Sequence, residues 1–299
     1  RTVDVEASVA EAMQLMVRYA SIAGEMQDVP RWQKMAEDRI QRTRSMFVQG
    51  WFRDVDGRSG QPILFDDFYD AAMLAPLTVN IAADSQINDI KPGLNHFAEN
   101  PRYLQWPPGL MAFTEAAYYA DEPLLAGRAV AQTADRVYAR TDSSQIMFAD
   151  SDEPFAYRIP GVANEFWPVA LRPAGAENYG WGATLPAYII RHIAGFRETE
   201  NGAANAFYLT PAIPPDLNKI GSRLVISHLK FRDICFQIEY RIGDEENLDI
   251  SLKIMKPEGK HFQVLNKDGR ILPLKADGKK QTGLTFSGQN GQGYLIRFE

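Results

Sequence analysis

The sequence predicts an α+β protein in two parts: an array of helical hairpins forming part of an α/α toroid, then a small antiparallel β-sandwich-like domain. Three observations carry this. The apolar period is helical up to about residue 200 and strand-like after about residue 205. The helical segments come in pairs joined by long loops, and the longest loop, 141–178, is too rich in Phe, Tyr and Trp to read as disordered. The C-terminal part alternates apolar and polar residues with period two, as half-buried antiparallel strands do. The polar stretch 198–205 separates domains at 1–200 and 205–299.

The first helix is expected over 5–23, where Val5, Val9, Ala12, Met13, Met16, Val17 and Ala20 share one face. Asp4 is suited to cap its start and Gly24 to end it. A second helix, 30–47, opens on Pro30, which the first turn tolerates. The stretch 50–62 has turn chemistry in its glycines, Asp56-Gly57 and Pro62. Helices follow at about 66–82, 86–98, 108–120, 122–139 and 181–197. The last presents Leu185, Tyr188, Ile189, Ile193 and Phe196 as apolar positions. A closed toroid of six hairpins has twelve helices, so seven predict that a preceding portion of the toroid lies outside the chain.

In the C-terminal part, Ile234, Phe236, Ile238, Tyr240 and Ile242 alternate, as do Leu248, Ile250, Leu252 and Ile254. Residues 243–247 between them form a hairpin loop. Shorter strands are expected at 261–265, 284–287 and 294–298, and no repeat of fixed period occurs.

At 299 residues the chain can bury a sizeable core. A net charge of −6 gives no broad basic surface for nucleic acid or anionic lipid. No apolar run approaches the roughly 18 residues of a membrane span. The single Cys235 cannot form an intramolecular disulfide and falls within a strand pattern, as core. No cofactor motif is present. Asp54, Asp56, Asp66, Asp67 and Asp70 are closely spaced, but the later ligands of a calcium loop are missing, so turn and cap roles fit better than metal. His96, His192, His228 and His261 are scattered without zinc spacing.

The chemistry concentrates in residues 164–193. Glu165 stands beside Phe166 and Trp167, and an acid held by aromatic rings can have its pKa tuned for proton transfer. Glu177 precedes a helix start at Trp181, where a carboxylate is also favoured by the helix dipole alone. Trp51, Trp106, Trp167 and Trp181 lie in loops or at helix starts; Trp32 alone is inside a helix. Sugar rings present flat C–H faces that pack on aromatic rings, while acids and amides take the hydroxyls. The plainer alternative for each tryptophan is filling core between helix ends.

The run Glu165-Phe-Trp-Pro168, Pro173-Ala-Gly175 and Asn178-Tyr-Gly-Trp181-Gly-Ala resembles the end of the catalytic domain of clan-G glycoside hydrolases. That group includes trehalases, processing α-glucosidases and mannosylglycerate-hydrolase-like proteins. Earlier pieces follow in the same order. Val3-Asp4-Val5 is similar to the helix after the group's general-acid loop, and Trp51-Phe-Arg-Asp54-Val-Asp56 to its W/F-x-D-x-D hairpin. Gln105-Trp106-Pro-Pro-Gly109 is similar to its tryptophan–proline loop, with Pro107 where trehalases carry aspartate. The resemblance spans about residues 1–200.

It implies an (α/α)6 barrel and an inverting mechanism on small α-linked glucosides or mannosides. One acid protonates the leaving oxygen while a second, about 6.5–9.5 Å away, activates water on the opposite face. By this match Glu165 is the general base, and Trp51, Gln105, Trp106, Trp167, Glu177 and Trp181 contribute to the sugar subsites. The general acid, an aspartate in the group, lies upstream of the segment matching Val3 and has no counterpart here. The alternatives are a non-catalytic carbohydrate-binding protein using the same pocket, and a lyase on the same toroid. A lyase would need a Tyr/His pair in the cleft, which four scattered histidines do not favour.

Overall fold

A computed structural model describes residues 1–64, 69–100, 107–138, 183–199, 205–232, 234–243, 247–254, 262–276 and 283–298. The chain is α+β. It divides into two compact units, residues 1–122 with 137–182, and residues 123–136 with 183–299. The second unit thus takes in all but the end of the helix that starts at Pro123.

In the first unit, α1 (Val3–Ala23) and α2 (Val29–Arg44) pair as a helical hairpin. Small residues let them approach: Ala7 and Ala10 are fully buried, and Ala36 nearly so. The Glu6 carboxylate, buried in this interface, accepts from Arg39 at 2.9 Å, with Arg42 at 3.9 Å. Gly24 ends α1 in the left-handed region (φ 81°), its N–H reaching Ala20 and Ser21 carbonyls. The start of α1 is capped from a distance: the Val3 N–H donates to Asp54 Oδ1 at 2.8 Å. Asp4 lies inside the first turn instead of capping it. The expected helix 30–47 stops at Arg44, because Phe47–Val48 (β1) turns back on Trp51–Phe52 (β2).

Of the expected helix 66–82, the described part is a 3₁₀ turn, Ala71–Leu74, running into α3 (Ala75–Thr78). Then come α4 (Asp84–Glu99) and α5 (Pro107–Tyr119). At the start of α4 the Ala83 N–H donates to Gln86 Oε1, and Gln86 Nε2 reaches back to the Arg44 carbonyl, tying α4 to the end of α2.

The second unit begins in α6 (Pro123–Tyr138) and resumes at α7 (Leu185–Tyr188). The helix expected over 181–197 is cut short. After α7 the chain makes one π-turn, Ile189–Ile193, with the Ala194 N–H bonded to the Ile189 carbonyl five residues back. Gly195 then turns with φ 75°, and Phe196 opens a strand instead of continuing the apolar helix face.

Among the described residues nine strands follow: β3 (Phe196–Glu198), β4 (Ala206–Leu209), β5 (Arg223–Phe231), β6 (Ile234–Ile242), β7 (Asn247–Ile254), β8 (Phe262–Asn266), β9 (Lys275–Ala276), β10 (Gly283–Gln289) and β11 (Tyr294–Phe298). They form two antiparallel sheets, β5-β6-β7-β10-β9 and β3-β4-β11-β8. Their apolar faces meet in one core: Phe207 stacks on Phe236 at 5.1 Å, and Phe286 meets Tyr294 edge-on at 5.2 Å. The expected β6–β7 hairpin pairs Tyr240 with Ile250 and Phe236 with Ile254. Strand β5 escapes sequence reading because its alternation changes phase. Ile226 pairs Ile238 and Leu229 pairs Phe236, so a bulge adds one residue and His228 takes φ 61°.

Candidate functional site

Of the sequence-designated residues, Glu165, Gln105, Trp106, Trp167, Glu177 and Trp181 lie outside the described residues, and Trp51 lies within them. The surroundings of Trp51 therefore define what can be built. Gln49 and Gly50, both at positive φ (55° and 73°), form a two-residue turn that pairs Val48 with Trp51 and Phe47 with Phe52. A turn with two positive φ angles matches the natural twist of a hairpin. It drives Trp51 inward, where its side chain is fully buried.

The indole meets Tyr69 edge-on at 4.8 Å and stacks on Phe97 at 6.1 Å, and Phe97 stacks on Phe113 at 5.0 Å. Gly93, in the middle of α4, lies against the indole; a Cβ there would come within 2.9 Å of Cε3. With its surroundings filled in this way, Trp51 offers no open ring face to a sugar and serves as core between helix ends. Its Nε1 is buried and, among the described residues, has no hydrogen-bond partner. The buried Arg53 guanidinium sits 5.4 Å from the Tyr69 ring, and Tyr69 leans on His96 at 5.1 Å. The Tyr69 ring thus has the Trp51 indole, the Arg53 guanidinium and the His96 imidazole about it. The sequence reading gave Arg53, Tyr69, His96 and Gly93 no place beside Trp51. The one available signal was a glycine next to Pro92 inside a helical pattern, which marks close approach.

The aspartates of the hairpin serve the backbone. Asp54 caps α1, as above. Asp56 Oδ1 accepts from the Arg58 and Ser59 N–H groups and the Ser59 hydroxyl. The Ser59 N–H and hydroxyl, then the Arg58 N–H, hold the Asp56 carboxyl below its ordinary pKa. Asp70 Oδ1 accepts the Ala72 N–H at the start of the 3₁₀ turn. Among the described residues no three His, Cys, Asp or Glu side chains come together as metal ligands. Nor, among them, is any helix long and apolar enough to cross a membrane.

No known family matches the chain. A comparison with curated proteins likewise found no significant match.

The second unit holds three further features that chemistry could use. A cavity of about 310 Å³ is walled by Ile189, Ile193, Ile213, Leu224, Ile226 and Tyr240. Its chemistry is apolar, and the Tyr240 hydroxyl is already donated to the Ala194 carbonyl. Burial pushes the Tyr240 phenol far above its ordinary pKa, so it is no proton donor or acceptor at neutral pH. Asp135 and Asp216 border this cavity but are exposed. On β6, Glu239 is buried while Arg223 donates to Oε2 at 2.8 Å and Arg241 to Oε1 at 2.7 Å. The Arg223 hydrogen bond leads in holding the carboxyl down, to about 2, against the opposing effect of burial. A carboxylate with both oxygens so occupied is a structural clamp.

His192 and Arg197 are also buried together. An Arg197 Nη2 donates to His192 Nδ1 at 2.9 Å, which requires that ring nitrogen to be the unprotonated one. Tyr188 stacks on the same imidazole at 5.4 Å.

Proposed function

We propose that the chain is the C-terminal part of an inverting glycoside hydrolase on an (α/α)6 toroid, acting on small α-linked glucosides or mannosides. Glu165 is its general base, and Gln105, Trp106, Trp167, Glu177 and Trp181 bound the sugar subsites. The observation that carries the reading is the ordered series of motifs in the sequence: the Trp51–Asp56 hairpin, the Gln105–Gly109 loop, then the run from Glu165 to Trp181. The structure supports it in two ways. The first unit contains an antiparallel helix pair, the element from which an α/α toroid is made. The Trp51–Asp56 hairpin gathers Arg53, Tyr69 and His96 about one aromatic centre.

In the reaction Glu165 takes a proton from water as that water attacks the anomeric carbon, and a second carboxylic acid protonates the departing oxygen. One carboxylate cannot perform both tasks; by the resemblance the acid is an aspartate upstream of the segment matching Val3. Trp51 contributes by holding the hairpin in place as core, instead of stacking on sugar.

The test is hydrolysis of α-glucosides and α-mannosides by the assembled enzyme with and without Glu165→Gln. Removing a general base costs about a hundredfold or more in rate. Undiminished hydrolysis in the variant removes Glu165 from that role. Sugar binding without hydrolysis in the unchanged protein would instead favour a non-catalytic carbohydrate-binding protein.

A further inference from the structure

The second unit is not packed solid. Within it, α6, the π-turn after α7, the loop 213–217 and strands β5 and β6 together wall the cavity of about 310 Å³. Space remains because α6 meets it with short side chains, Ala131 and Ala134. Ile193, Ala194, Ile213 and Tyr240 are the buried part of the wall, while Leu217 and Val225 are 44% and 40% exposed and belong to its open side. An apolar cavity of ~150 Å³ takes up benzene, so this one has room for a ring and a chain of several carbons. A pocket of this size, apolar but for a few polar groups, is the usual form of a small-ligand site.

The polar groups of the wall select the ligand's charge. Among the described lining residues only Asp135, Asp216 and Tyr240 carry polar side chains, and none is Lys, Arg or His. The Tyr240 hydroxyl gives its proton to the Ala194 carbonyl, so these side chains have no hydrogen-bond donor left to offer. Asp135 on α6 and Asp216 on the loop are exposed at the border of the cavity. Neither makes an ion pair or a side-chain hydrogen bond among the described residues. A carboxylate-bearing apolar ligand would meet two like charges and no donor. An ammonium group would meet two carboxylates, supplied by two different elements. We propose that this cavity binds a small organic ammonium ion, an aryl- or alkylamine whose apolar body fills it and whose cation stays at the border with Asp135 and Asp216. The buried body supplies most of the affinity. The charges stay in water, so their attraction is modest and weakens with salt.

The proposal does not rest on the glycosidase reading, because an apolar wall without donors is unsuited to a sugar. Its test uses three probes with one body and different heads: phenylbutylamine, phenylbutanol and phenylbutyrate. Each is titrated into the full 299-residue chain carrying labelled isoleucine methyl groups, and NMR follows the methyls of Ile193, Ile213 and Ile226. The amine shifts these methyls with a Kd of about 1 mM or tighter. The carboxylate binds at least about tenfold more weakly, with the alcohol between them. The double variant Asp135→Asn/Asp216→Asn, at exposed positions, brings the amine down to the level of the alcohol. Ala134→Phe, which fills the cavity from α6, abolishes the binding of all three while circular dichroism shows the fold intact.

Loss of the charge preference in the aspartate variant, with the alcohol's affinity unchanged, is the outcome that a general greasy surface would not give. Isoleucine methyls that none of the probes moves at about 10 mM overturn the inference, since the cavity is then closed to ligands. Equal binding of amine and carboxylate overturns it too, by removing the charge selection. So does amine binding that survives in a folded Ala134→Phe chain, by placing the probe elsewhere.

Discussion

In the β-sandwich of the second unit, the apolar residues of both sheets face each other: Phe207, Leu209, Val264, Ile296 and Phe298 on one side, Phe236, Ile238, Ile250, Leu252 and Phe286 on the other. In the first unit, α1 buries alanines against its neighbours and leaves Leu15, Tyr19 and Ile22 open to solvent. The two sheets cover each other's facing apolar residues, with exposed apolar side chains such as Ile220 and Ile271 outside that core, and the closest backbone approaches lie deep inside it. The helical unit has apolar surface still to cover. A packed core should respond sharply to changes at its closest contacts, and an exposed helix face should tolerate substitution.

The largest contrast comes from Gly195. Its φ of 75° is unfavourable to any side chain, and a Cβ would lie 2.0 Å from the Thr210 carbonyl oxygen. Gly195→Ala is expected to destabilise the sandwich unit by about 4 kcal/mol or to prevent its folding. Denaturant unfolding of the variant measures this, and a loss under about 1 kcal/mol would show that the turn relaxes easily.

Next is the Glu239 clamp. Glu239→Gln should cost about 2 kcal/mol, since two arginines lose their charged partner while remaining largely solvated. The folded carboxyl sits at about 2 against an ordinary value of 4.5, so its stabilisation is complete above pH 4.5 and is lost as pH falls from there towards 2. Unfolding free energy measured from pH 6 down to pH 2 should fall less in the variant than in the unchanged chain, about the pH range of this titration.

Gly93→Ala probes the aromatic centre of the first unit. The added methyl must displace the Trp51 side chain, at about 1.5 kcal/mol. Trp51 fluorescence, read in a chain whose other tryptophans are replaced by Phe, should shift as the indole moves. Smallest of all is Ile22→Ser on the open face of α1. It should change stability by less than about 0.5 kcal/mol, read by denaturant unfolding. A larger loss would mean that this face is already covered within the chain.

The legible parts of the fold were those whose period ran unbroken. The β6–β7 hairpin was plain because five alternating apolar residues face four across one loop. The end of α1 at Gly24 was similarly marked by local chemistry. Strand β5 was hidden by its bulge, where the parity of the apolar positions changes between Ile226 and Leu229. The end of the helix over 181–197 was hidden because Phe196 continues the apolar helical face in sequence, while Gly195 takes the chain out of the helix. The turn and cap roles of Asp54, Asp56 and Asp70 followed from their spacing, although Asp54 caps a helix some fifty residues earlier, which no local reading could supply.

The candidate site divides in the same way. A tryptophan at the start of a strand reads alike whether its ring is a sugar platform or core. Only the close packing of Gly93, Tyr69 and Phe97 shows Trp51 to be core. The neighbours that make this region chemically rich, Arg53 and His96, are ordinary letters in sequence and meet only through folding.

The central claim is that Glu165 activates water for attack on an anomeric carbon. Proton NMR of the sugar first released from an α-linked glucoside or mannoside by the assembled enzyme tests it most directly. Inversion to the β-anomer, lost in Glu165→Gln, is the predicted result. Release of the α-anomer, or inversion undiminished in the variant, would contradict the account.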